Sequence, residues 1–206
     1  MRPGTLYDLL APIYGRIAPG LFSRVTRRAI ERLGQVTPDS VLEVGMGPGG
    51  LVRELQRRTS ASVVGVDVSS GMIAQARKRI KRNEGHTALV RADGLQLPFR
   101  EGSFESVVSL LYLDVLAREE VRDALLEMSR VLAPGGRIVV ASLLISNKVL
   151  REGWNLAYKL IPELVGRIRP TMVEEHFDVA GLRVLRTEEI TELAGARMWT
   201  LVKVRG

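Results

Sequence analysis

The stretch Val41-Leu42-Glu43-Val44-Gly45-Met46-Gly47-Pro48-Gly49-Gly50 decides how the chain reads. Its apolar residues at 41, 42 and 44 form a strand, and the glycines behind them a turn that opens a helix. A strand, a glycine-rich turn and a helix in this order form the nucleotide site of a doubly wound sheet. Glycine lets the backbone turn tightly and approach a ligand with no Cβ in the way, while the first amides of the helix face it. Two cofactor classes stay open at this point. Gly45, Gly47 and Gly50 satisfy the dinucleotide pattern G-x-G-x-x-G, and Asp67, at the end of the next strand, can take both ribose hydroxyls of either kind of adenosine cofactor.

Working outward, β-branched runs alternate with helical patterns, the signature of βαβ units and a mostly parallel sheet. Strands are expected at 41–46, 62–68, 87–93, 104–112 and 137–144, and helices at 50–59, 70–83 and 118–132. Val63-Val64-Gly65-Val66-Asp67-Val68 is apolar almost throughout, as a strand covered on both faces would be. Ser69 or Ser70 caps the helix behind it, whose Met72, Ile73, Ala76 and Ile80 recur at three- and four-residue steps. Pro134-Gly135-Gly136 ends the 118–132 helix and turns the chain sharply into Arg137-Ile138-Val139-Val140. The alternation then stops. Helices are expected near 148–161 and 171–180, and strands at 182–190 and 196–204 flank a turn at Gly195 as an antiparallel hairpin.

The chain has 206 residues, 46% hydrophobic and 26% charged, a composition that excludes disordered and fibrous classes and suits one globular domain. It has no cysteine, so disulfides, thiolate nucleophiles and Cys-ligated metals are out, and a reducing cytosol is the expected compartment. No apolar run approaches the roughly 20 residues that span a bilayer, and Asp8 and Arg16 bracket a stretch too short for a signal peptide. The net charge of +7 is concentrated in residues 1–33, at +4, and 148–169, at +3. Such placement points to a local anionic partner or to solvated helix faces.

Three features separate the cofactor classes: Glu43 two residues before Gly45, Arg91-Ala92-Asp93-Gly94 closing the third strand, and Leu132-Ala133-Pro134-Gly135-Gly136 before the fifth. In this order and spacing, over about residues 41–144, the chain resembles class I S-adenosylmethionine-dependent methyltransferases. It is most similar to the broad group containing ubiquinone/menaquinone-biosynthesis and bacterial phospholipid N-methyltransferases. Leu6-Tyr7-Asp8-Leu9-Leu10-Ala11-Pro12-Ile13-Tyr14 looks like that group's leader, with Gly15 where an acidic residue is common. The resemblance implies an α/β fold of Rossmann-like type: a doubly wound, seven-stranded, mostly parallel sheet closing with the antiparallel hairpin. One domain is expected, with a helical cap at 1–33, a cofactor-binding core at 41–144, and acceptor-side helices and the hairpin at 145–206.

Carried over residue by residue, the resemblance implies that Glu43, Gly45 and Gly47 surround the methionine portion of S-adenosylmethionine and that Asp67 holds its ribose. Asp93 accepts from the adenine amino group, with Gly94 beside it and Val68 and Met72 against the ring. Leu110, in the segment Ser109-Leu110-Leu111-Tyr112, walls the sulfonium, and Tyr7 and Tyr14 close the pocket. Candidates to meet the acceptor are Tyr112, Asp114 and His176; no metal is expected. Where amino-methylating DNA enzymes carry Asn/Asp-Pro-Pro-Tyr/Phe, this chain reads Leu110-Leu111-Tyr112-Leu113, so nucleic acid is not the expected acceptor despite the basic charge.

The expected function is methyl transfer to a lipid-like or hydrophobic acceptor at an anionic membrane surface, with a soluble small-molecule acceptor as the alternative. A nicotinamide-dependent oxidoreductase and a regulatory module without turnover are the rival classes. The membrane expectation rests on two segments. Residues 21–33 set Leu21, Phe22, Val25, Ala29, Ile30 and Leu33 on one half of a helix and Arg24, Arg27, Arg28 and Arg32 on the other, the form of an in-plane membrane helix, or of a helix packed on the sheet. Residues 148–169 add Trp154 and Tyr158 to basic side chains. The expected location is cytoplasmic, at the inner face of the membrane if these segments bind lipid.

Overall fold

The computed structural model describes residues 8, 11, 12, 16, 20, 22–34, 38–80, 86–144, 173–191 and 195–204. In chain order these form α1 (Ser23–Gly34), β1 (Ser40–Val44), α2 (Gly50–Arg58), β2 (Ser62–Asp67), α3 (Ser70–Arg79), β3 (Thr87–Arg91), β4 (Phe104–Leu110), a 3-10 turn (Leu113–Val115), α4 (Arg118–Val131), β5 (Leu132–Leu144), a second 3-10 turn (Val173–His176), β6 (Leu182–Ile190) and β7 (Gly195–Lys203). The expected helix at 148–161, with Trp154 and Tyr158, lies outside the described residues, as do Tyr7 and Tyr14.

The seven strands form one sheet in the order β3-β2-β1-β4-β5-β7-β6. The first five are parallel, and β7 runs antiparallel between β5 and β6, as the expected hairpin requires. The chain order reverses between β1 and β4, and that switch point leaves a crevice beyond the carboxyl ends of the strands, where ligands bind in open α/β sheets. Alternate residues of β1 serve opposite faces. Val41 packs with Leu51, Val52 and Leu55 of α2 and Val25, Ala29 and Leu33 of α1. Leu42 and Val44 pack with Val121, Leu125 and Met128 of α4 and with Phe177 behind the second 3-10 turn. Both faces are covered, which is why β1 and β2 read as nearly continuous apolar runs.

Several expected boundaries move for identifiable reasons. β1 ends at Val44 because Gly45 leaves extended geometry at φ 72, and β4 ends at Leu110 because Leu111 adopts φ 62. The third helix stops at Arg79, where Ile80 turns extended and its amide closes on the Ala76 carbonyl. The turn at Pro134-Gly135-Gly136 lies inside β5 instead of between helix and strand, with Gly135 at φ 79. β5 already begins at Leu132, opposite Phe104, and the glycines form a bulge at which its register against β4 shifts. The expected helix at 171–180 is only the 3-10 turn Val173–His176, and Gly195 opens β7 instead of lying in the hairpin turn.

Of the two readings of 21–33, packing favours the helix that lies on the sheet. Val25, Ala29 and Leu33 are buried against the sheet, with Phe22 and Ile30 packed beside them. The arginines at i, i+4 and i+8 face the β6 edge: Arg24 donates to the Thr191 carbonyl at 3.2 Å, Arg28 lies 3.3 Å from Glu188, and buried Arg32 pairs with the same carboxylate. Val25, Ala29 and Leu33 are thus committed to the core, and Phe22 and Ile30 are partly covered beside them. A Leu33→Ala truncation there is of the kind that costs about 2–5 kcal/mol.

Candidate functional site

The crevice at the carboxyl edge is organised by carboxylates that bind backbone amides. Asp67 ends β2, and its two oxygens accept from different segments, Oδ2 from the Gly47 amide and Oδ1 from the Ser69 amide, each at 2.9 Å. It thereby ties the glycine turn to the start of α3. Glu43 points from β1 toward α2 and accepts from the Val52 amide at 3.1 Å. Since the N-cap residue Gly49 has no side chain to cap α2, Glu43 does that work from the neighbouring strand. Burial drives the Glu43 carboxyl up to about 8; the Val52 amide opposes the shift and the charge of Asp67 adds to it. Asp67 is also raised, chiefly by burial, with the Ser69 and Gly47 amides opposing and Asp8 contributing.

The glycine turn offers fewer amides to a ligand than its pattern promised. Gly45 and Met46 both donate to the Val66 carbonyl at 2.9 Å, Gly49 donates to Met46, and the Gly47 and Val52 amides go to the two acids. A pyrophosphate would meet amides already taken and two carboxyl groups. It would enter the place where a nicotinamide dinucleotide needs positive potential.

Gly45 is open for a reason other than ligand approach. A Cβ there would stand 2.4 Å from the Cβ of Tyr112, and one on Gly94 would stand 2.4 Å from the Tyr112 hydroxyl. The tyrosine ring therefore runs between the turn after β1 and the loop after β3, in space that two missing side chains leave. Leu111, left-handed without being glycine, aims the chain into this position. Burial raises the Tyr112 phenol well above its ordinary value, with the charge of Asp93 the next largest cause.

The other expected site residues fall as follows. Asp93 is exposed, and its Oδ1 accepts from Leu95 at 2.9 Å, leaving Oδ2 for an amino donor. Gly94 is buried beneath Tyr112. Val68 is 41% exposed next to Asp67, whereas Met72 is enclosed at 2%. Leu110 packs at the edge of the helix-covered face that α1 and α2 share. Asp114 is buried and holds the turn after β4 to β5, accepting from the Ser142 hydroxyl and, at 2.9 Å, the Leu143 amide. His176 sits in the second 3-10 turn, behind the sheet face that α4 covers.

One residue at this site was only a charge in the sequence. The Oδ1 of Asp8 accepts from the Ser69 hydroxyl at 2.6 Å, the Gly71 amide at 2.8 Å and the Ser70 hydroxyl at 3.3 Å. Its carboxyl is held below the usual range, first by Ser69 and then by Gly71. The adjacent Tyr7 drew attention to the segment, but nothing in the spacing connects Asp8 with Ser69.

These features fit an adenosine cofactor that carries positive charge. The Asp67 oxygens accept from the Gly47 and Ser69 amides, with Val68 contributing less, and between them keep capacity for a ribose hydroxyl. Asp93 offers an acceptor at the next strand end, Val68 an exposed apolar surface between them, and the acids suit a sulfonium better than a pyrophosphate. Among the described residues no cluster of side chains could hold a metal ion, and no helix is long and apolar enough to cross a membrane.

Comparison with known proteins agrees. Residues 41–136 match a family described as a methyltransferase domain. A demethylmenaquinone methyltransferase of Thermus thermophilus is 36% identical over 135 residues, covering 65% of this chain and 59% of that protein. This chain therefore spans less than two thirds of that relative. Among solved structures, the [4+2]-cyclase SpnF superposes with a TM-score of 0.77 at 18% identity over 98% of this chain and 96% of that one. The magnesium protoporphyrin IX methyltransferase of Synechocystis, solved with S-adenosylhomocysteine, gives 0.71 at 18% over 87% and 82%. At such identities the two structures speak for the fold. The strand order, the acid-lined glycine turn and the matched region point the same way: residues 41–136 match a methyltransferase domain, on the fold of solved S-adenosylmethionine-dependent methyltransferases.

Proposed function

We propose that the protein transfers a methyl group from S-adenosylmethionine to a lipid-like or hydrophobic acceptor, a quinone precursor or a phospholipid headgroup. The observation that carries the cofactor half is the Asp67 carboxylate at the switch point, bound to Gly47 on one side and Ser69 on the other. In this reading Asp67 holds the ribose, Asp93 the adenine amino group and Val68 the ring face. Glu43 and the turn at Gly45 and Gly47 bound the methionine portion, and Leu110 and Tyr112 wall the sulfonium. The cofactor supplies an activated methyl on a positively charged sulfur, so the protein has to align the acceptor and exclude water. Tyr112, Asp114 and His176 are the polar candidates on the acceptor side. Asp114 has its oxygens engaged by β5, which favours holding the loop over taking a proton. The name of the Thermus relative supports the quinone class of acceptor.

Calorimetry with S-adenosylhomocysteine and with NADH tests the cofactor half: the thioether is expected to bind and the nicotinamide not, and the reverse would refute it. Mass spectrometry of lipid and quinone extracts after incubation with isotope-labelled cofactor tests the acceptor half; no labelled product in either class would remove it. A soluble small-molecule acceptor is favoured by one observation, the buried apolar half of α1. Work at an anionic membrane surface then rests on the basic residues of 148–169 alone.

A further inference from the structure

We propose that Asp8 is a positioning residue of the cofactor site, acting through Ser69 on Asp67, so that the segment bearing Asp8 docks as a working part of that site. This rests on the methyltransferase reading above. The linkage is continuous: Asp8 accepts from the Ser69 hydroxyl at 2.6 Å, that hydroxyl accepts from the Met72 amide at 3.1 Å as the cap of α3, and the Ser69 amide donates to Asp67 at 2.9 Å. Ser69 is fully buried, so each of its polar atoms needs such a partner.

A second, independent observation is the fit at Gly71. A Cβ there would come within 3.0 Å of the Asp8 Cα and 3.1 Å of the Ala11 Cβ, and Ala11 itself is 1% exposed. The Asp8 backbone and the Ala11 side chain therefore lie directly on the first turn of α3, so close that a Cβ at 71 would push them back by a few tenths of an ångström. The Asp8 charge adds to the attraction, since it sits where the helix presents its free amides. Without Asp8, the Ser69 hydroxyl loses its acceptor and the turn that aims Asp67 loosens. Because coupling is reciprocal, a ligand held by Asp67 must also tighten the docking of Asp8.

The test uses the full chain and S-adenosylhomocysteine as the calorimetric probe. Asp8→Ala is expected to weaken binding about tenfold, the loss of a charge-assisted hydrogen bond, and Asp8→Asn, which keeps the Oδ1 acceptor, to recover most of it. Gly71→Ala, which leaves every hydrogen-bonding group in place but crowds the docked backbone, is expected to weaken binding in the same direction. On an Asp67→Ala background the Asp8→Ala loss should shrink to less than about threefold, since the two act as one unit. Trypsin cleavage after the exposed Arg16 should be slowed by the probe in the wild type and not in Asp8→Ala. Wild-type affinity in Asp8→Ala, or losses that multiply in the double variant, would overturn the proposal while the methyltransferase reading stands. Failure of the wild type itself to bind the probe would remove that reading, and this proposal with it.

Discussion

The Glu43 carboxyl group caps α2 from the adjacent strand, accepting from the Val52 amide at 3.1 Å while buried at 3% exposure. An acid is thereby placed behind the glycine turn with a helix end as partner and no described cation bonded to it. Its carboxyl, raised from 4.5 to about 8, retains in the folded protein a proton that the unfolded chain releases. Folding is then opposed progressively as pH rises from about 4.5 to about 8, and the loss is complete above that. Melting temperatures of wild type and Glu43→Gln should diverge across this window, the glutamine variant keeping the stability that the wild type loses. Parallel profiles would show that Glu43 ionises freely.

Asp67→Ala removes the acceptor for Gly47 and Ser69 together with the expected ribose contact. Binding of S-adenosylhomocysteine should weaken by about 1.5–3 kcal/mol, the scale of charge-assisted hydrogen bonds. Calorimetry checks it, and unchanged affinity would place the ribose elsewhere.

Gly45→Ala puts a methyl group into the Tyr112 side chain at a φ of 72. The strain and the clash together should cost about 1–3 kcal/mol in urea unfolding. Tyr112→Phe keeps the ring between Gly45 and Gly94 and should leave stability within about 0.5 kcal/mol. A loss of methyl transfer in Tyr112→Phe without loss of stability would place the hydroxyl at the acceptor.

Arg32→Ala strands Glu188 against α1 and β6, and breaking a buried pair from one side costs about 3–5 kcal/mol. Glu188 retains Arg28 at 3.3 Å, so the low end of that range is expected. Denaturant unfolding measures it. An effect near zero would mean that Arg28 replaces Arg32 entirely.

Sedimentation with anionic vesicles at low and high salt addresses the membrane. Val25, Ala29 and Leu33 of α1 are buried against the sheet, so Arg27→Glu in α1 should weaken binding by no more than the electrostatic share of one basic residue. Combined Lys148→Glu and Arg151→Glu should reduce it, each basic residue near such a surface contributing on the order of 1 kcal/mol. No sedimentation at low salt would leave the soluble acceptor.

The sequence by itself determined the order of strands and helices, the hairpin at the end, and the place of the cofactor turn. Those features are local: the apolar run of 63–68, the three- and four-residue steps of 72–80 and the glycines of 45–50 are visible within a few residues of each other. It was also enough to single out Asp67 and Glu43 as acids at strand ends that must find partners. The tertiary structure decided who those partners are. Val52 for Glu43, Tyr112 for the space above Gly45, Glu188 for Arg32 and Ser69 for Asp8 are separated by 9, 67, 156 and 61 positions along the chain. No hydrophobic period or spacing encodes such pairs, because burial and hydrogen-bond satisfaction are settled only when the sheet brings distant segments together. The same holds for α1, whose amphipathic pattern is identical for a membrane surface and for a β-sheet. Only the sheet beneath Val25, Ala29 and Leu33 distinguishes the two.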